Sequence, residues 1–193
     1  PIIEIAITPN RGDCLGVRGI ARDLSAASIG RMKPLDTSEC KGVFHSPIHW
    51  ELSPDALEIV PRVTGRYFRD VTNNSSPEWM ARRLINIGQR SISALVDITN
   101  YIMIDLGRPL HAFDADKING DTLFIRRANA GEKILALNEK EYTCTTDMLV
   151  IGDRDGADDI AGIMGGERTG IRNNTKNLFL EIAIFDPISV ATT

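Results

Sequence analysis

Residues 91–114 read SISALVDITNYIMIDLGRPLHAFD. Leu95, Ile98, Ile102 and Leu106 recur at helical spacing, which predicts an amphipathic helix over residues 91–106 with those four on its buried face. Gly107-Arg108-Pro109 breaks the helix, because glycine closes a last turn and proline cannot continue it. The break delivers a lone histidine, His111. Thr99 and Asn100 begin to point away from the apolar stripe, so one titratable ring and two neutral hydrogen-bonding side chains converge on rigid supports. The same pattern also suits a capped core helix followed by an internally satisfied histidine.

Working outward, Ser75-Ser76-Pro77-Glu78 carries a helix-start signature, with Met80, Leu84 and Ile87 as the buried stripe and Gly88 as the stop. Residues 2–8, IIEIAIT, read as a strand. Residues 8–12 form a turn, and Asp13 is placed to cap a helix whose apolar positions run from Val17 to Ala27 before Gly30. Residues 31–56 lack periodicity and contain Pro34, Gly42, Pro47 and Pro54, as expected of a connector. Strands are expected over 59–63 and 67–71 around Gly65. Beyond residue 121 come short strands at 122–126, 133–137, 148–151, 160–163 and 178–184, and Asp186-Pro187 opens a last helix. Helices early and strands late indicate an α+β fold rather than a wound α/β sheet. The expected organisation is an N-terminal strand-helix piece with its connector, residues 1–56, packed on a main α+β body, residues 57–193.

With 193 residues, 42% of them hydrophobic, the chain can bury a substantial core. No apolar run approaches the roughly 20 residues of a membrane span, and no signal-peptide pattern is present, so no membrane association is expected. Cys14, Cys40 and Cys144 are irregularly spaced, which suits a reducing, cytoplasmic setting and builds no disulfide framework. A net charge of −4 argues against a free-standing nucleic-acid binder. Arg82-Arg83, Arg90 and Arg126-Arg127 read as ordinary solvated faces. Pro1 in place of an initiator methionine, and an end at Thr193 within an expected helix, suggest a piece of a longer polypeptide.

AGIMGGE, residues 161–167, is neither a Walker loop nor a dinucleotide fingerprint. It is a sharp turn leaving a strand, and its glycines let backbone N–H groups approach a ligand unobstructed. Glu181 lies within LFLEIAIF, where strand alternation places it on one face with Phe179 and Ala183. An unpaired buried carboxylate is costly, so this residue either meets an internal arginine or serves a ligand. No Ser–His–Asp order, GxSxG elbow or metal triad is visible. Cys40, His45 and His49 offer no fourth zinc ligand. Residues 153–164 depart from a calcium loop at the glycine and at the last position, and read as a polar hairpin tip. No metal site is expected.

Four segments together resemble the B3/B4 region of bacterial phenylalanyl-tRNA synthetase β subunits: TPNRGDCLGVRGIARDL (8–24), the 91–114 stretch, AGIMGGE (161–167) and NLFLEIAIFDPISV (177–190). The resemblance implies a three-layer α+β architecture with sandwich-like sheets and flanking helices. It also implies a hydrolytic editing site that removes tyrosine wrongly attached to tRNA(Phe). Glu181 would accept a hydrogen bond from the tyrosine hydroxyl, and the Gly162 N–H would donate to it. Ala161 would line the pocket and Gly165 would form its floor. His111 would orient a water or act as base, with Thr99 and Asn100 at the ester end. Arg11, Asp13 and Arg18 match the family and are expected to fix packing, not to touch substrate. The implied partners are the tRNA(Phe) acceptor end, with most of the grip supplied elsewhere, and a synthetase α subunit in an (αβ)₂ heterotetramer. ATP and Mg²⁺ would act in that α subunit, and no cofactor is expected in this segment. The rival reading is a non-catalytic RNA-binding or structural module of the synthetase.

Overall fold

In the computed structural model, which describes residues 2–193, the helix expected over 91–106 spans Ala94–Leu106. The helices in chain order are α1 Val17–Ala26, α2 Pro54–Ile59, α3 Glu78–Asn86, α4 Ala94–Leu106 and α5 Pro187–Ala191. The chain forms two units. The helical unit takes the chain up to His45 together with Asn74–Leu110, and the β unit takes Ser46–Asn73 and His111–Thr193. The chain thus passes between units three times, where the sequence suggests one boundary after residue 56.

Within the helical unit, α1 and α3 both pack on α4. Gly16, just before α1, lies so close to the end of α4 that a Cβ would sit 2.4 Å from the Gly107 nitrogen. Gly107 itself closes α4 in the left-handed region at φ 67°, which glycine adopts without steric cost. The buried residue of α4 is Asp97, while Ile98 and Leu106 are 42% and 38% exposed. The expected apolar face is therefore not the one that packs. The Asp97 carboxylate reaches back to accept the Ile92 N–H at 2.9 Å and the Ser76 and Ser91 hydroxyls at 2.5 Å each. It ties the start of α4 to the segments before α3 and between the two helices.

Asp13 caps no helix; α1 begins after Gly16 in extended backbone. Instead Arg11 and Arg22 bridge Asp13 and Asp23. Arg18 reaches the Lys33 carbonyl at 3.5 Å. Residues 2–8 are not a strand. Every strand of the structure belongs to the β unit, so IIEIAIT finds no sheet neighbour in its own unit, and backbone pairing, not apolar composition, makes a strand.

The β unit holds β1 His49–Leu52, β2 Arg62–Phe68, β3 His111–Asp114, β4 Thr122–Arg127, β5 Lys133–Leu135, β6 Glu141–Thr143, β7 Leu149–Asp153, β8 Gly156–Ile160 and β9 Leu178–Ile184. A four-stranded sheet runs β1-β4-β7-β8, parallel only at β1–β4. A three-stranded antiparallel sheet runs β2-β9-β3. Between them lies a core of Phe113 and Phe179 from one sheet and Leu123, Ile125 and Ile151 from the other. The hairpin β5-β6 covers the reverse face of the four-stranded sheet over Ala128, Ile134, Cys144, Val150 and Ile160. The neighbours Val150 and Ile151 serve opposite cores, as strand alternation requires. Three β layers with flanking helices realise the expected α+β architecture. The two strands anticipated around Gly65 are one, β2, because a side chain at Gly65 would sit 2.1 Å from the Phe179 ring and glycine lets the strand pass over it.

Candidate functional site

β9 is the central strand of its sheet, and Glu181 is its midpoint. In register, Glu181 faces Gly65 on β2 and His111 on β3. His111 and Phe113 lie two residues apart on β3, and Glu181 and Phe179 two apart on β9. Both polar residues therefore share the inner face with the two core phenylalanines. Glu181 is buried, with 6% of its surface exposed. On one side of it Gly65 presents bare backbone under the Phe179 ring, and on the other lies the His111 imidazole.

The imidazole is held from several directions. The Phe113 ring packs edge-on at 4.4 Å between centroids. Gly165 presses its backbone against the ring, so closely that a Cβ would lie 2.3 Å from the His111 Cε1. On the β8 side, Asp159 Oδ2 lies 3.3 Å from His111 Nε2, although Nε2 makes no aligned hydrogen bond. Asp159 Oδ1 accepts the Gly166 N–H at 2.6 Å.

Burial governs the charges here. His111 is held below its ordinary pKa of 6.5 by burial, against the opposing pull of Glu181 and Asp158. Asp159 is pushed well above 3.8 by burial and by the neighbouring Asp158, with the Gly166 N–H and Arg168 opposing. Both effects favour the neutral form of each group. Asp158 is engaged separately, by the Thr169 hydroxyl and by the Arg168 guanidinium at 3.6 Å.

The structure brings His111, Glu181 and Gly165 together. Ala161 is buried in the inter-sheet core. Gly162, at φ 75°, turns the chain beside Phe185 and Val190, and a Cβ there would meet the Phe185 ring at 2.9 Å. Thr99 and Asn100 lie on α4 in the helical unit, where the Thr99 hydroxyl donates to the Val96 carbonyl at 2.7 Å. The residue that sequence reasoning missed is Asp159. Its place in ADDIAGI, an acid among apolar neighbours on a strand, is the same signal that singled out Glu181. It passed unnoticed among the other aspartates of residues 153–158.

The Arg126-Arg127 pair is occupied. Arg126 grips Glu132 through two bonds at 2.9 and 2.6 Å, and Arg127 bonds the Asp147 carbonyl. Among the described residues, the cluster with metal-ligand spacing is Asp13, Cys14 and Asp23, into which Arg11 and Arg22 already project. Among the described residues, no helix is long and apolar enough to cross a membrane.

A family model described as the B3/4 domain matches residues 59–193. The phenylalanine–tRNA ligase β subunit of Gluconobacter oxydans is 49% identical over 193 residues, covering 100% of this chain and 23% of the relative. That of Ruegeria pomeroyi is 52% identical over 191 residues, covering 99% and 24%. The chain thus spans about a quarter of the length of the curated relatives it matches. A crystal structure of an N-terminal fragment of the phenylalanyl-tRNA synthetase β subunit from Pyrococcus horikoshii has a similar fold. Its TM-score is 0.54 at 18% identity, over 93% of this chain and 54% of that one.

Proposed function

The chain belongs to the B3/4 domain family, and from that premise we propose that it is the editing portion of a phenylalanine–tRNA ligase β subunit, a hydrolase for tyrosine mischarged onto tRNA(Phe). The observation that carries this reading is the burial of Glu181 at the centre of an apolar strand, directly beside His111. A buried carboxylate accepts hydrogen bonds, and a phenolic hydroxyl is a donor it can accept from.

The physical need is clear. A pocket built for phenylalanine rejects an added hydroxyl only by roughly 10²-fold. A second site that requires the hydroxyl corrects the error. Glu181 accepts the phenol O–H, and the Gly162 N–H, free of any side chain, donates to the same oxygen. Phenylalanine has no hydroxyl to form these two hydrogen bonds, at about 1–3 kcal/mol for each buried group. Hydrolysis of an activated ester then needs a positioned water and some stabilisation of the developing oxyanion. The neutral His111 ring, held by Phe113 and Gly165, supplies the positioning. The proposed site rests on residues of the β unit alone.

In this reading the tRNA(Phe) acceptor end brings the ester to the site. The ligation chemistry, with ATP and Mg²⁺, belongs to the α subunit of a cytoplasmic (αβ)₂ enzyme. The test is deacylation of tyrosyl-tRNA(Phe) by the full synthetase carrying this segment, wild type against Glu181→Ala, alongside calorimetry of the chain with free tyrosine and phenylalanine. Expected are tyrosine binding in excess of phenylalanine and loss of that preference in the variant. An unchanged preference in Glu181→Ala would refute the hydroxyl-reading role, and equal or absent binding of both amino acids would favour a non-catalytic structural module.

A further inference from the structure

Asp159 has no role in the reading above, yet it is the polar group set against the histidine that the site depends on. Its carboxyl is 5% exposed, and its two oxygens have different neighbours. Oδ1 accepts the Gly166 N–H at 2.6 Å, so in a protonated carboxyl Oδ1 is the carbonyl-type oxygen. Oδ2 is then the hydroxyl oxygen, and it faces His111 Nε2 at 3.3 Å. Nε2 is buried and makes no other hydrogen bond, and buried polar atoms are rarely left without a partner.

We propose that Asp159 is a positioning residue for His111: its Oδ2–H donates to Nε2 and so fixes the ring as the tautomer that carries its proton on Nδ1. The charged groups around the ring are compatible with this arrangement. Glu181 on β9 and Asp158 on β8 favour a protonated imidazole, but burial outweighs them and favours the neutral ring. Burial and Asp158 likewise raise the Asp159 pKa and favour the protonated carboxyl, against the Gly166 N–H and Arg168. A neutral carboxyl has one donor, and a neutral imidazole has one acceptor nitrogen. With both groups neutral, the pair is satisfied when the carboxyl donates to Nε2.

The consequence deepens the editing proposal, on which its catalytic meaning rests. With Nε2 engaged, the remaining ring nitrogen is an N–H. His111 then offers a hydrogen bond to the water or to the developing oxyanion and is no general base. The Gly165 backbone beside Cε1 and Nδ1 keeps that donor in one orientation.

The experiment reads the tautomer directly, by ¹⁵N–¹H correlation of the imidazole rings in the 193-residue chain at neutral pH. The chain has three histidines, and the exposed His45 and His49 serve as internal references. Expected for the wild type is a His111 with protonated Nδ1 and an accepting, unprotonated Nε2. Asp159→Asn, whose amide N–H₂ can still donate, keeps that pattern. Asp159→Ala, which cannot, shifts the proton to Nε2. In the full enzyme, Asp159→Ala lowers kcat for tyrosyl-tRNA(Phe) deacylation by about 10–10²-fold with KM little changed, and Asp159→Asn restores most of it. A wild-type His111 with its proton on Nε2 overturns the proposal even if the alanine variant fails to fold, and so does an Asp159→Ala spectrum identical to wild type. If the tautomer is as expected but the wild-type enzyme hydrolyses no tyrosyl ester, the editing function fails and the Asp159–His111 pairing stands.

Discussion

His111 and Glu181 stand opposite each other in register on β3 and β9, both on the inner face of the sheet. The carboxylate favours the charged imidazole and burial opposes it, with burial the larger effect. The sheet thereby places an acceptor beside a neutral ring within one strand spacing. Removing the acid's charge must shift the balance further. In Glu181→Gln the opposing pull is lost, so the His111 pKa falls below its wild-type value. An NMR titration of the His111 ring protons checks this, and a rise in the variant would contradict the assigned electrostatics.

Gly165 is held to glycine by the ring beside it. A Cβ at this position would lie 2.3 Å from His111 Cε1 and 2.9 Å from the Leu137 side chain. Gly165→Ala is expected to push the imidazole away from Asp159 and to lower deacylation by about tenfold or more. Phe113 and Phe179, which carry the core, are not touched, so a thermal melt of the same variant should change far less than its activity. Full activity would show that the ring's position is not set by this turn.

Asp97 is fully buried and answers to three donors, Ile92 N–H, Ser76 and Ser91. Burial alone would raise its pKa, but the hydrogen bonds outweigh it and hold the group below 3.8. Asp97→Ala strips the partners of their shared acceptor and is expected to cost about 2–4 kcal/mol. Urea unfolding measures this. A cost under about 0.5 kcal/mol would mean that the carboxylate does not tie the helices together.

Glu132 gives the acid dependence a definite window. Its carboxylate receives two bonds from Arg126 and the N–H groups of Asn129 and Ala157, which bring its pKa down from 4.5 to about 2. The folded state therefore binds fewer protons than the unfolded chain between these values, so stability rises with pH there. The contribution is complete above about pH 4.5 and is lost as the pH falls toward 2. Glu132→Gln should be less stable than wild type by about 1–3 kcal/mol at pH 7, and the two should converge in acid. Parallel denaturation curves at several pH values test it; a constant difference down to pH 2 would exclude the linkage.

Much of the β unit could be read from residue order. β9 follows from the alternation in LFLEIAI, and α5 from Asp186-Pro187, where the Asp186 side chain does accept the Ser189 N–H. Other elements could not be read, because their cause is distant in sequence. β1 is a four-residue strand whose pairing with β4 is parallel, and nothing local announces it. α2 had its signal, Ser53 in the cap position and Pro54 in the first turn, but lay in a stretch that looked aperiodic. IIEIAIT has the composition of a strand and no neighbour to pair with in its unit. The stripe Leu95–Ile98–Ile102–Leu106 marks a helix correctly and its packing face wrongly, because the buried network of Asp97 turns a different side inward.

From the order of residues alone came the class of the fold, the main helices, the strand bearing Glu181 and the candidacy of Glu181, His111 and the glycine-rich turn. Those features depend on periodicity and on the cost of burying charge, and both act locally. Only the tertiary structure decided that Glu181 faces His111, that Gly165 presses on the imidazole and that Asp159 meets Nε2. Strand register and the stacking of β8 over β3 join residues up to about seventy positions apart, and no local pattern encodes which of several buried acids will reach a given ring.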